Sequence, residues 1–174
     1  VGENSQEILN GTTVATDTWG TPKLPGCSGT LMRDRWVLTA KHCTPTAGST
    51  ITLVNGATAT LTNPIFNHPT LDVTIARVSA SMIPSGAATT NGPFPLYRGA
   101  PGQLLNKSLA CQGWGHNACP PGGDCSGFGT LRSATLLVDE VNTLFGGCTG
   151  DNCYRLTINA SGQLLAPGDS GSRC

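Results

Sequence analysis

Three short segments, far apart in the chain, carry residue types that together could attack a carbonyl. Cys27-Ser28-Gly29-Thr30-Leu31 is followed closely by Trp36-Val37-Leu38-Thr39-Ala40-Lys41-His42-Cys43. Leu71-Asp72-Val73-Thr74-Ile75-Ala76 comes next, and Pro167-Gly168-Asp169-Ser170-Gly171 lies near the end. A serine hydroxyl is a weak nucleophile at neutral pH and needs a base within hydrogen-bond reach, a task that suits a His. The imidazole needs a carboxylate on its other nitrogen, to hold the tautomer and stabilise the imidazolium. A tetrahedral oxyanion needs converging backbone N–H donors, and glycines beside the Ser let the chain turn tightly enough to supply them. His42, Asp72, Ser170 and the turn at Gly168 are candidates for these parts, in the order His, Asp, Ser. Taken singly, each has a plainer reading: a His beside a Cys is often structural, an Asp at a strand start caps a turn, and Gly-Asp-Ser-Gly is often a loop. The plainer readings would all have to hold at once, against the order of the residues, the flanking strand patterns and a Cys27–Cys43 staple around His42.

Positioning such groups requires a rigid frame, and the composition points to strands. Gly and Pro number 23 and 12 among 174 residues, too many breakers for a helical bundle. Short β-rich runs recur between turn clusters: 28–32, 35–40, 50–54, 57–62, 72–78, 103–114, 129–138 and 154–158. Val54-Asn55-Gly56-Ala57 predicts a type I′ hairpin turn. The breaker-rich stretch from Pro84 to Gly102 reads as a surface linker. There is no internal repeat and no heptad pattern. Many short strands with regular turns argue for barrels or a sandwich.

Lys+Arg and Asp+Glu balance at 10 each, which argues against nucleic acid or an anionic membrane as a bulk electrostatic partner. Charged residues make up 11%, against about 25% in an average soluble protein, yet the hydrophobic share of 38% is not that of a disordered chain. No apolar run approaches the ~18 residues of a membrane span. The start lacks the basic, apolar and small-residue order of a secretory leader, as a mature chain would.

Proximity groups six of the eight cysteines as Cys27 with Cys43, Cys119 with Cys125 and Cys148 with Cys153, leaving Cys111 and Cys174. The Cys119–Cys125 segment lacks the tight spacing of zinc knuckles, and the three His are scattered, so disulfides are expected rather than a metal site. They imply an oxidising compartment, most simply outside the cell.

Together these segments resemble the chymotrypsin-like (trypsin-like) serine proteases over nearly the whole chain. Ile8-Leu9-Asn10-Gly11 resembles the mature N-terminal motif, with Trp19-Gly20 after it. The run Trp36 to Cys43 resembles the family's His signature, with Lys41 in place of an Ala. Leu71 to Ala76 resembles its Asp strand, Gly113-Trp114-Gly115 its Gly-Trp-Gly, and Gly168 to Gly171 its Gly-Asp-Ser-Gly.

The resemblance implies an all-β fold of two packed six-stranded antiparallel β-barrels of the chymotrypsin type, one over residues 1–92 and one over 93–174, the second incomplete. It implies His42 as general base, Asp72 as its orienting acid, Ser170 as nucleophile, and the N–H groups of Gly168 and Ser170 as the oxyanion hole. It also implies a Cys111–Cys174 bridge and Asp169 as the partner of a freed Ile8 amine. The implied activity is a secreted serine endopeptidase acting on peptides or proteins, without a cofactor. Leu164, six before the Ser, with Leu165 beside it, falls at the floor of the specificity pocket, so cleavage after Arg or Lys is not expected.

The chain departs from the pattern in four places. It ends four residues after Ser170, and a second chain, a cleavage or disorder is expected to account for the end. Residues 1–7 precede Ile8, which fits a zymogen-like state. Gly171-Ser172-Arg173 replaces the usual Gly-Gly-Pro, and the spacing from His42 to Asp72 is short. His68 and His116 read as loop residues. Asn10, Asn106 and Asn159 begin glycosylation-type triplets. The alternatives are a catalytically inactive or zymogen-like protease-fold binding protein, and a disulfide-rich structural module.

Overall fold

The structure is a computed structural model that describes residues 8, 10–16, 20–82, 97, 99–117, 124, 126–141, 154–165, 168–172 and 174. Eleven strands are formed among them: β1 (Thr12–Thr13), β2 (Lys23–Leu24), β3 (Cys27–Ser28), β4 (Thr30–Arg33), β5 (Trp36–Thr39), β6 (Thr50–Thr52), β7 (Thr58–Asn67), β8 (Thr74–Val78), β9 (Ser108–Gly113), β10 (Arg132–Val141) and β11 (Tyr154–Thr157).

The first sheet runs in the order β3-β2-β6-β7-β8-β5-β4, every pair antiparallel. Its two end strands are separated by Gly29 alone, so the sheet closes on itself. Gly29 N–H still donates to Pro22 O at 2.9 Å and Leu31 N–H to Gly20 O at 2.9 Å. Residues 27–33 therefore act as one bent strand, and the barrel has six staves. Alternation sends Leu31, Val37, Ile51, Leu61, Ala76 and Val78 inward, all nearly or fully buried. Closure removes the unpaired edges that an open sheet would expose. Because Ile51 is completely buried in this core, Ile51→Ala is expected to cost about 2–5 kcal/mol, transfer and cavity terms together. Urea denaturation of the two proteins checks it, and a loss well under 1 kcal/mol would contradict a tightly packed barrel.

The second sheet is built on β10. Strand β9 runs along one edge, with Arg132 opposite Gly113 through to Leu137 opposite Ser108. Strands β1 and β11 share the other edge. Ile8, Cys111, Ala134 and Leu136 form its buried apolar cluster, with Leu109, Leu156 and Leu165 packed against them. Thr12–Thr13, from the 1–92 half, pairs with Ser133 and Arg132 on this sheet. Four strands of the second barrel are thus described.

Several local expectations change. The hairpin at Asn55-Gly56 forms, but only Gly56 has positive φ, at 82°, so the turn is not type I′. Gly56 N–H donates to Leu53 O and Asn55 Oδ1 accepts from Ala57 N–H, so the Asn side chain closes its own turn instead of the left-handed backbone doing so. Residues 103–104 belong to a 3-10 turn, Pro101–Leu104. Proline at its start lacks an N–H to give to a sheet, and strand pairing begins only at Ser108. Strand β7 runs on past Thr62 to Asn67, with a register shift around Pro64, which has no ladder donor. Of the expected linker, residues 84–96 and 98 lie outside the described residues.

Candidate active site

Strand order brings the first two candidate groups together. β5 and β8 pair antiparallel, with Thr39 opposite Thr74. The chain leaving the end of β5 therefore starts beside the chain entering β8. His42 sits three residues beyond β5, on the 3-10 turn Lys41–Cys43; Asp72 sits two residues before β8. The Cys27–Cys43 disulfide anchors the turn to the adjoining stave. Asp72 grips His42 twice: Oδ1 accepts the His42 backbone N–H at 2.8 Å, and Oδ2 lies 2.5 Å from His42 Nδ1. The far ring nitrogen, Nε2, is 2.9 Å from Ser170 Oγ. The His42 and Asp72 side chains are 58% and 57% exposed, so the pair is open to solvent on one side.

Partial desolvation by itself raises the Asp72 pKa, but the hydrogen bonds from the His42 ring and backbone and the charge interaction with His42 outweigh it. The carboxyl is held below its ordinary 3.8. A folded-state pKa below the unfolded one means that the contribution to stability is fully present above pH 3.8. It is lost only as pH falls through the lower folded value.

Ser170 sits on a turn pinned from the first barrel by Ser28. The Ser28 N–H donates to Ser170 O at 3.0 Å, and its hydroxyl donates to Gly168 O at 2.8 Å while accepting Trp114 N–H at 2.8 Å. Thr39 Oγ1 holds Ser28 O at 2.8 Å, and Thr30 Oγ1 donates to Gly171 O at 3.3 Å. Ser28 is fully buried, so each of these polar groups depends on the other. By residue type Ser28 reads as one more strand residue, and the signal for it is a hydroxyl directly after Cys27.

Asp169, next to Ser170, is also buried. Its Oδ1 accepts Gly115 N–H at 2.8 Å and its Oδ2 accepts Ile8 N–H at 2.9 Å. This explains the two glycines around Trp114. A Cβ on Gly113 would lie 2.0 Å from Asp169 Oδ1, and one on Gly115 would lie 2.6 Å from Asp169 Cγ. The carboxylate occupies the space that side chains there would need. Trp114 itself is fixed by Nε1–H donating to Thr21 O at 2.7 Å. Ile8 is buried and bridges Leu164.

Leu164 and Leu165 line a cavity of 590 Å³ together with Leu156, Tyr154 and Ser170. Arg155 also reaches it, but its guanidinium is engaged by both carboxylate oxygens of Asp139 and by Glu140 at 2.7 Å. Residue types alone do not single out Arg155, Asp139 and Glu140.

The disulfides Cys27–Cys43 and Cys111–Cys174 are both formed; Cys119, Cys125, Cys148 and Cys153 lie outside the described residues. Cys27, His42 and Cys43 converge within 4.8 Å, but the two sulfurs are bonded to each other and offer no thiolate to a metal. His116 packs against the Phe128 ring. Asn159 is bound up in its own loop: its amide donates to Thr135 O and Gln163 Oε1 and accepts from Ser161 and Gln163 N–H.

The trypsin family model matches residues 1–172. The chain belongs to the trypsin family. Among solved structures, this trypsin-family chain is similar to the scabies mite inactivated protease paralogue S-D1, with a TM-score of 0.65 at 14% identity over 95% of this chain and 80% of that one. It is similar to neuropsin, a serine protease expressed in the limbic system of mouse brain, with a TM-score of 0.58 at 17% identity over 95% and 92%. It is also similar to HL collagenase, with a TM-score of 0.53 at 20% identity over 76% and 64%. At these identities the likeness is one of fold. No curated protein sequence matches the chain.

Proposed function

We propose that this chain is a secreted serine endopeptidase that hydrolyses peptide bonds through an acyl-enzyme. The observation that carries the reading is the line of short contacts from Asp72 through His42 to Ser170, at 2.5 and 2.9 Å. His42 Nε2 takes the proton as Ser170 Oγ attacks the scissile carbonyl, and returns it to the leaving amine. Asp72 keeps the Nδ1 proton in place and balances the imidazolium. The N–H groups of Gly168 and Ser170 are the proposed donors to the oxyanion. Water then attacks the ester on Ser170 with His42 again as base, releasing the acid. Leu164 and Leu165 make an apolar floor for the residue before the scissile bond. Asp169, the carboxylate beside them, is committed to Ile8 and Gly115, which supports a preference other than Arg or Lys. Residues 1–92 would carry His42 and Asp72 and residues 93–174 the nucleophile. Two disulfides support an extracellular location.

A fluorophosphonate is expected to label Ser170 and no other serine, with Ser170→Ala unlabelled. A peptide library should be cut after apolar or small residues. If the folded, disulfide-intact protein neither labels nor cleaves, the endopeptidase reading is wrong.

A zymogen-like or purely binding form is the second reading, favoured by one feature. Glu7 precedes Ile8, so the group on Asp169 Oδ2 is a neutral amide. Cleavage between Glu7 and Ile8 would convert it to an ammonium ion paired with Asp169, a stronger, charge-assisted contact.

A further inference from the structure

The loop that presents Asp72 is built around a histidine the mechanism does not use. His68 follows β7 directly, and its backbone N–H donates to Val73 O at 2.8 Å, closing the six residues 68–73. Inside that loop the His68 ring faces two backbone donors: Leu71 N–H reaches Nδ1 at 2.9 Å and Thr70 N–H reaches it at 3.3 Å. Amide N–H groups can only donate, so Nδ1 carries the lone pair and the neutral ring holds its proton on Nε2. On the other side, Lys41 Nζ donates to His68 O at 3.2 Å. Lys41 is the residue before His42, and it stands where the family's His signature has Ala. The loop is therefore tied to the His42 turn at two points, Lys41 to His68 and Asp72 to His42.

We infer that His68, with Lys41, is a positioning residue for the Asp72–His42 pair. The ring acts as an internal acceptor that folds residues 70–71 back, so that Asp72 enters β8 with its carboxylate turned toward His42. Among the described residues, no other acceptor meets the Leu71 N–H. Losing the acceptor leaves Thr70 and Leu71 without their turn, and the half-exposed Asp72 has little packing of its own to keep it aimed. The inference rests on the proposed triad for its effect on reactivity, but its structural half does not.

The test uses the full chain with its disulfides intact and three variants, His68→Ala, His68→Asn and Lys41→Ala. Asn can place Oδ1 near the position of Nδ1 and accept the same amides. Two readouts are taken: the rate of fluorophosphonate labelling at Ser170, and the downfield proton resonance of His42 Nδ1–H, which reports the bond to Asp72 without any substrate. His68→Ala is expected to slow labelling by about tenfold to a hundredfold, the scale of a misplacement near 1 Å, and to weaken the resonance. His68→Asn is expected to restore both to within about threefold, a rescue that a purely space-filling role would not produce. Lys41→Ala should fall between them. The inference is overturned if His68→Ala leaves both readouts unchanged, if folded His68→Asn is as impaired as His68→Ala, or if the parent protein shows no such resonance. A parent that shows the resonance, and its loss in His68→Ala, but never labels at Ser170 would refute the endopeptidase reading and leave the positioning role standing.

Discussion

Asp72→Asn is expected to slow acylation of Ser170 by about 10⁴-fold, the loss characteristic of this change in a Ser-His-Asp triad. The local geometry says why. Asp72 makes two contacts with His42, and they respond differently. The bond from His42 backbone N–H to Oδ1 survives, because an amide oxygen still accepts it. The contact at Nδ1 does not, because the second position now carries an NH₂ that needs an acceptor. His42 answers by taking the other tautomer, with its proton on Nε2 and aimed at Ser170 Oγ. The ring then has no lone pair facing the hydroxyl and cannot act as base. The fold should survive, since the side chain is largely exposed. Fluorophosphonate labelling rates compare the two proteins directly, and a loss of less than tenfold would mean that Asp72 does not set the tautomer. The stability difference should also follow pH in one direction. It is present above pH 3.8, where the wild-type carboxylate is ionised. It closes as pH falls through the lower folded pKa, where Asp is protonated and resembles Asn. Urea midpoints at a series of pH values read this out.

Asp72 and His42 were legible in the sequence because their partnership is a matter of strand order. An apolar run ending in His, and a second run beginning after Asp, meet at one end when the runs pair antiparallel. Ser170 was legible from the glycines around it. What supports these groups was not. Ser28 looks like any polar residue in a strand, and its hydroxyl matters only because Gly168 O and Trp114 N–H arrive there from 140 and 86 residues away. His68 looked like a loop residue, and it is one; its role lies in the direction of two amides that no pattern of residue types reveals. The glycines of Gly113-Trp114-Gly115 could be matched to a motif, but their cause is a buried carboxylate from another segment. The strands β1, β2 and β3 have two residues each, too few for alternation to show. At Asn55-Gly56 the residue types favoured a left-handed pair, and an Asn side-chain hydrogen bond made a different turn sufficient.

The second large effect is expected at Gly171. Its φ is 80°, a region that costs other residues about 1–2 kcal/mol. A Cβ there would also lie 2.5 Å from Ser28 O and 2.8 Å from Thr39 Cα. Both are backbone atoms of barrel strands or their direct continuation, and Ser28 O is held by the Thr39 hydroxyl. Neither can yield as a flexible side chain would, so overpacking adds about 1–3 kcal/mol. Gly171→Ala should therefore destabilise the protein by about 2–5 kcal/mol, or push the turn outward to relieve the clash. Outward movement carries Ser170 with it, because Ser170 O is tied to Ser28 N–H on the same side. A shift near 1 Å at Ser170 is expected to cost about 10²-fold in labelling rate. Gly56→Ala separates the two causes. Gly56 has a φ of 82° but nothing within 4 Å of the added carbon, so it should lose only the conformational part, about 1–2 kcal/mol, and label at the wild-type rate. Equal destabilisation of the two variants would show that the clash against Ser28 and Thr39 contributes nothing. Normal labelling of folded Gly171→Ala would show that the turn can shift without moving Ser170 away from His42.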